Sequence, residues 1–145
     1  MLRKYLKKNA RAEDRAESKN PGFEEVLKTL EGEGFVCFLL DGAEMRTKDG
    51  LFEEYAQKVG FPDYFGRNWD AFNDCMTDLE IPLGVRGVAV LVRNSELVLS
   101  SGTESDKEAY ISCLADISDD WAETVDIGEW WDRPAIDFRV VNLVA

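Results

Sequence analysis

A chain of 145 residues with 45% hydrophobic content has the length for one domain and enough apolar material for its core. Its net charge of −12 disfavours nucleic acid and membrane surfaces as direct partners and favours a basic one. With no histidine, His-based metal sites and catalytic triads are excluded, and the longest apolar runs, such as Phe35–Leu40, fall far short of the roughly 20 residues that span a bilayer.

The charge is uneven. Met1 to Gly22 carries seven Lys/Arg against three Asp/Glu, so the remaining chain is more acidic than the total suggests. Residues 1–22 read as a basic N-terminal arm or extension ending at the turn Asn20-Pro21-Gly22, and residues 23–145 as a single domain. The arm lacks the apolar centre of roughly 7–15 residues that a secretory signal requires, which places the protein in the cytoplasm. Cys37, Cys75 and Cys113 lie far apart in apolar surroundings, a pattern of buried thiols rather than of a disulfide framework.

Phe23, Val26, Leu27 and Leu30 recur at i, i+3, i+4 and i+7, which predicts an amphipathic helix stopped by Gly32 and Gly34. That glycine pair lacks the third glycine and the following helix of a dinucleotide loop. Phe35 to Leu40 is then expected as a strand buried on both faces. Helical spacing returns in Leu51, Phe52, Tyr55, Ala56 and Val59 up to Gly60 and Pro62, and again from Asn68 to Leu79. Gly87–Val92 and Phe138–Val144 are two further apolar strands, separated by a short segment, Ser95–Leu99, and a helix from about Glu104 to Leu114. Apolar strands alternating with helices indicate an α/β fold, a three-stranded parallel sheet packed with helices. The stretch from Ser118 to Pro134 holds Trp121, Trp130 and Trp131 among six acidic residues; its tryptophans either pack back on the core or form a binding surface.

In the helix from Asn68, Trp69, Phe72, Cys75, Met76 and Leu79 gather on one side at 100° per residue, leaving Asp70, Asn73, Asp74, Thr77 and Asp78 on the other. Asp70 lies in the first turn after an Asn68 cap and complements the helix dipole, whereas Asp78, near the C-terminus, has no such local reason. Like charges at i, i+4 destabilise a helix by about 0.2–0.5 kcal/mol per pair, so the stripe is either a solvated acidic face or a site for a cationic partner. As an acid–base pair or cation site, Asp70 and Asp74 lack the sugar cleft or the further converging ligands those chemistries need, and neither a catalytic residue, a metal nor a cofactor is expected.

The run Asp41-Gly42-Ala43-Glu44-Met45, followed by Phe61-Pro62-Asp63-Tyr64-Phe65-Gly66-Arg67-Asn68-Trp69-Asp70-Ala71-Phe72-Asn73-Asp74-Cys75-Met76-Thr77, resembles the barstar family, intracellular inhibitors of barnase-like ribonucleases. The resemblance is strongest from Val36 to Pro82 and continues in element order to the C-terminus, with residues 1–34 and about 118–136 outside it. It implies a barstar-like fold. It also implies that Asp74 enters the ribonuclease's phosphate pocket, that Asp70 is a second interface carboxylate, and that Tyr64, Gly66, Asn68 and Thr77 are contact positions. Asn73 and Asp78 share the same face, and Glu80 stands where a further interface acid is found, after a loop one residue shorter; Ile81-Pro82 stands at a cis bond.

A ribonuclease active site holds a phosphodiester among cationic groups, and a fixed carboxylate can take the place of a phosphate oxygen pair. The neighbouring acids then steer association, for which the barnase–barstar complex is the reference case. Several positions depart from the family pattern: Asn73 replaces the aromatic before the key aspartate, Phe65 the second tyrosine, Asp78 a glycine, Leu79 an aromatic, and Arg67 an acid. The partner implied is therefore a secreted or delivered basic ribonuclease of the barnase-like class other than barnase, with no direct contact to nucleic acid or membrane. This makes the chain an inhibitor of the immunity type rather than an enzyme. The alternative is a barstar-fold module for a basic partner that is not a nuclease.

Overall fold

The computed structural model describes residues 22–82, 84–130 and 132–144, so the expected N-terminal arm lies outside the described residues except for Gly22, and Trp131 lies outside them too. The chain order is α1 (Gly22–Gly32), β1 (Phe35–Asp41), α2 (Lys48–Tyr55), α3 (Trp69–Thr77), β2 (Gly87–Arg93), α4 (Glu104–Trp121) and β3 (Asp137–Leu143). The three strands form one parallel sheet in the order β1-β2-β3, with Val36 opposite Val88 and Val88 opposite Phe138. This is the α/β, three-stranded parallel architecture expected from the apolar strands.

Alternation along the strands divides the core in two. Val88, Val90 and Val92 of β2, with Phe138 and Val140 of β3, face a large cluster built with Phe52, Tyr55, Phe72, Met76, Leu114, Ile117 and Trp121. Ala89, Leu91, Val141 and Leu143 face the other way and meet Leu30, Val26 and Leu27 of α1. One helix therefore covers one sheet face, and α2, α3 and α4 cover the other.

Three expectations need correction. β2 is enclosed on both faces, but β1 is an edge strand whose Leu39 is 38% exposed. An apolar run records burial without telling a central strand from a covered edge. The last helix continues to Trp121, because Leu114, Ile117, Ser118 and Trp121 extend the buried face at helical spacing through a sequence crowded with aspartates. No cis peptide bond occurs among the described residues, so Ile81–Pro82 is trans, the form that an X–Pro bond ordinarily favours by about 0.5–1 kcal/mol.

The Asp41-Gly42 pair ties the ends of β1 and β2 together. Asp41 Oδ1 accepts from the Ala43 N–H and from Asn94 Nδ2, both at 2.9 Å. The hydrogen bond from Asn94 is the main reason the Asp41 carboxyl sits below its usual range, although partial burial opposes it. The Asp41 N–H donates to Glu54 Oε2 at 2.9 Å, and Lys58 donates to the same oxygen at 2.8 Å, so a buried glutamate on α2 holds the strand end. At Gly42 a Cβ would run into the Asn94 carbonyl oxygen, which leaves no room for a side chain. Gly42→Ala is expected to lower unfolding stability by roughly 1–3 kcal/mol, the usual range for overpacking, measured by urea denaturation.

All three cysteines are free thiols. Burial raises Cys37 and Cys113 from the ordinary thiol value of 9.0 to about 11, with Glu31 adding to the effect at Cys37 and Asp116 at Cys113. Both are neutral in the folded state where the unfolded chain would already lose the proton. Their contribution to stability is full below pH 9 and is lost as pH rises through about 11. Thermal melts should show the midpoint falling across that window in wild type and falling less in a Cys37→Ser/Cys113→Ser variant.

Candidate functional site

α3 is held by what precedes it. Phe61 and Phe65 turn inward, their ring centroids 4.9 Å apart, and Phe65 meets Phe52 at 5.4 Å. Between them a turn closed by the Phe65 N–H on the Pro62 carbonyl leaves Tyr64 83% exposed. Arg67 takes a left-handed backbone (φ 54°) and ion-pairs with Glu53 on α2 at 3.1 Å, so its charge is met locally. Asn68 then caps α3, its Oδ1 accepting from the Ala71 N–H at 2.8 Å and its Nδ2 reaching the Gly66 carbonyl at 3.4 Å.

The inner face of α3 is fixed by Phe72 and Met76, both fully buried. Phe72 packs against Tyr55, Trp69, Phe52, Phe61 and Tyr110 at centroid distances of 4.8 to 6.2 Å. Trp69, Cys75 and Leu79 are half-buried. α4 grips both ends of the helix: Cys113 Sγ approaches the Trp69 carbonyl at 3.7 Å, and Trp121 Nε1 donates to the Met76 carbonyl at 3.0 Å.

On the outer face Asp70, Asp74 and Asp78 are exposed, as is Glu80 just beyond. Asp74, Asp78, Glu80 and Tyr64 line one open groove of about 610 Å³, together with Phe61, Pro62 and Cys75. Burial, and then the charges of Asp74 and Asp78, raise the Cys75 thiol above its ordinary value, which favours its protonated form in the groove.

The remaining expected contacts separate by environment. Asp70 lies one turn before Asp74, outside the groove lining, and Gly66 and Asn68 are exposed at the entry to the helix. Asn73 corrects the expected geometry: it is half-buried, with Oδ1 enclosed and lacking a hydrogen-bond partner, instead of standing on the open stripe. The cause is that α3 is backed by α4 as well as by the sheet, which widens its buried arc beyond the single apolar stripe. Thr77, half-buried in the same way, spends its hydroxyl on the Asn73 carbonyl at 2.9 Å and also lies 3.3 Å from that of Asp74.

The groove also takes in residues outside the expected site, among them two from distant parts of the chain. Phe38 reaches it from β1, and Trp130, 89% exposed, reaches it from the C-terminal tryptophan-rich segment. Within that segment Trp121 packs in the core, whereas Trp130 is exposed. The acidic and glycine neighbours of Trp130 were the available signal, but they do not reveal which face of the molecule the loop reaches. Among the described residues no group of three or more His, Cys, Asp or Glu could hold a metal ion, and no helix is long and apolar enough to cross a membrane.

Residues 35–141 match the family model described as Barstar (barnase inhibitor). The chain belongs to the barstar family. Barstar family members are inhibitors, not enzymes, and the matched range runs through the tryptophan-rich segment that the sequence resemblance left out. A stretch of 46 residues is 39% identical to a Bacillus subtilis (strain 168) protein carrying the name "Putative ribonuclease inhibitor YrdF"; it covers 31% of this chain and half the length of that relative.

Asn68→Ala should cost about 1 kcal/mol of unfolding stability, the usual value of a side-chain helix cap, seen as a lower urea midpoint with an unchanged slope.

Proposed function

We propose that this chain inhibits a ribonuclease by seating the outer face of α3 in the enzyme's cationic active site, with Asp74 in the place of a substrate phosphate. The observation that carries this reading is the position of Asp74: exposed, lining an open groove with Asp78 and Glu80, on a helix whose reverse side is anchored by Phe72 and Met76. A carboxylate on so fixed a support meets arginine or lysine without first having to be ordered, which is where affinity is otherwise lost. Asp78 and Glu80 extend the negative field along the groove, and Asp70 extends it by one turn on the other side. Tyr64 supplies an exposed aromatic, Gly66 and Asn68 offer the edge of the helix entry, and Asn73 and Thr77 line the flank.

The partner is a basic ribonuclease of the barnase-like class, secreted or delivered from another cell, and the inhibitor acts in the cytoplasm as an immunity protein. Residues 23–145 form the inhibitory domain, with residues 1–22 as an extension. The departures at Asn73, Phe65 and Asp78 suit an enzyme other than barnase.

The test is RNA cleavage by barnase and by a panel of basic bacterial ribonucleases, each with wild-type protein and with Asp74→Ala. At least one enzyme should be blocked, and Asp74→Ala should raise its inhibition constant by about thirtyfold or more, equivalent to the ~2 kcal/mol lower end for truncating one member of a desolvated charge pair. Inhibition of barnase itself below about 1 nM would refute the claim of a different cognate enzyme. Protection that is unaffected by loss of the Asp74 carboxylate would remove the phosphate-mimic role. Binding to basic proteins without any RNA protection would favour the module for a partner that is not a nuclease.

A further inference from the structure

The described residues of the loop from Val125 to Arg133 are held in place by a set of local bonds. Val125 and Arg133 pair through two backbone hydrogen bonds of 2.8 Å, closing the loop at its base as an antiparallel bridge. Inside it, the Asp132 carboxylate accepts from three backbone N–H groups, those of Ile127, Gly128 and Glu129, at 3.1, 2.8 and 3.2 Å. Desolvation works against that carboxylate, but the three donors outweigh it and hold its pKa below the ordinary value. Gly128 supplies the positive φ of 84° that the turn requires. The base is fastened to the core, because the Arg133 guanidinium lies 4.2 Å over the Trp121 ring and donates to the Asp120 carbonyl and carboxylate, each at 3.1 Å.

What this frame displays is an indole. Trp130 is 89% exposed and lines the same groove as Asp74, Asp78 and Glu80, with Glu129 exposed immediately before it. A large aromatic among carboxylates offers two things at once to an arginine: a face on which the planar guanidinium stacks and acceptors for its N–H groups. The chain already uses that combination internally at Arg133, which stacks on Trp121 while donating to Asp120.

We propose that the Val125–Arg133 loop is a second partner-contact element, in which Trp130 stacks on an arginine side chain at the rim of the partner's basic cleft. The proposal rests on the groove being the inhibitory face and adds to it a residue that sets which basic partners fit. Lysine-rich surfaces satisfy the carboxylates alone, whereas arginine-bearing ones satisfy the carboxylates and the indole together.

The test uses octa-arginine and octa-lysine peptides titrated calorimetrically into the full chain, its Trp130→Ala variant and its Trp130→Phe variant at one fixed salt concentration. Wild type should bind octa-arginine about tenfold more tightly than octa-lysine, the scale of one well-placed cation–π contact. Trp130→Ala should bring octa-arginine down to the octa-lysine level, and Trp130→Phe should keep most of the preference. A preference that survives in Trp130→Ala, or that is absent from wild type, overturns the proposal. The peptides contain no ribonuclease fold, so this outcome is separate from the Asp74 assay: a wild-type chain that protects RNA through Asp74 but shows no arginine preference counts against the loop, and a Trp130-dependent arginine preference without Asp74-dependent RNA protection counts against the phosphate-mimic reading.

Discussion

The rest of the site depends on the anchoring of α3 through Phe72 and Met76. A helix bearing Asp70, Asp74 and Asp78 down one side repels itself by about 0.2–0.5 kcal/mol per adjacent pair, and Asp78 meets the negative end of the helix dipole as well. Burying one Phe or Met side chain contributes roughly 1.5–3 kcal/mol, so two such residues outweigh the repulsion several times over. The acidic face exists because the apolar face can carry it. That imbalance also makes the face rigid: the helix cannot relax its charges apart without pulling Phe72 out of a ring cluster that includes Tyr55, Phe52 and Tyr110.

The parallel sheet supplies the platform for this arrangement. Because α2, α3 and α4 all lie on one sheet face, the acidic helix α3 has a strand layer beneath it and a long helix alongside it, while α1 alone closes the opposite face. The Asp41-Gly42 corner, the buried Glu54 and the Trp121 hydrogen bond to Met76 join the layers at points where backbone groups would otherwise be buried without partners. Such satisfied polar joints restrict the ways the helices can repack, which a purely apolar interface would not do.

Most of the fold could be read from the sequence, because it is written in periods. Val88 to Val92 is apolar at every position, and the central strand is buried at every one of them; Phe23, Val26, Leu27 and Leu30 gave the helix that covers the reverse face. The errors came where one signal had two meanings. Phe35–Leu40 is as apolar as β2 yet lies at the edge, and the aspartates after Leu114 resembled a loop although Ile117, Ser118 and Trp121 kept the helical spacing. At the site, the outward direction of Asp70, Asp74 and Asp78 followed from 100° per residue, and Tyr64, Gly66 and Glu80 came from motif resemblance. Asn73 was misplaced because a helical wheel shows one backing surface, and α3 has two. Trp130 could not be assigned, since its neighbours in space, Asp74 and Glu80, are fifty or more residues away in sequence and no local pattern encodes that meeting.

The closure of the Val125–Arg133 loop on itself has a consequence for how such a molecule can diversify. The bonds that set its shape, those of Asp132 and of the Val125–Arg133 bridge, are internal, and Arg133 ties its base to the end of α4. Residues between its two closing positions can be exchanged, or the tip lengthened, with the disturbance confined to a few local bonds, much as an antibody framework tolerates new hypervariable tips. A lineage of these chains could therefore vary the surface at this outgrowth while the packing of α3 stays as it is.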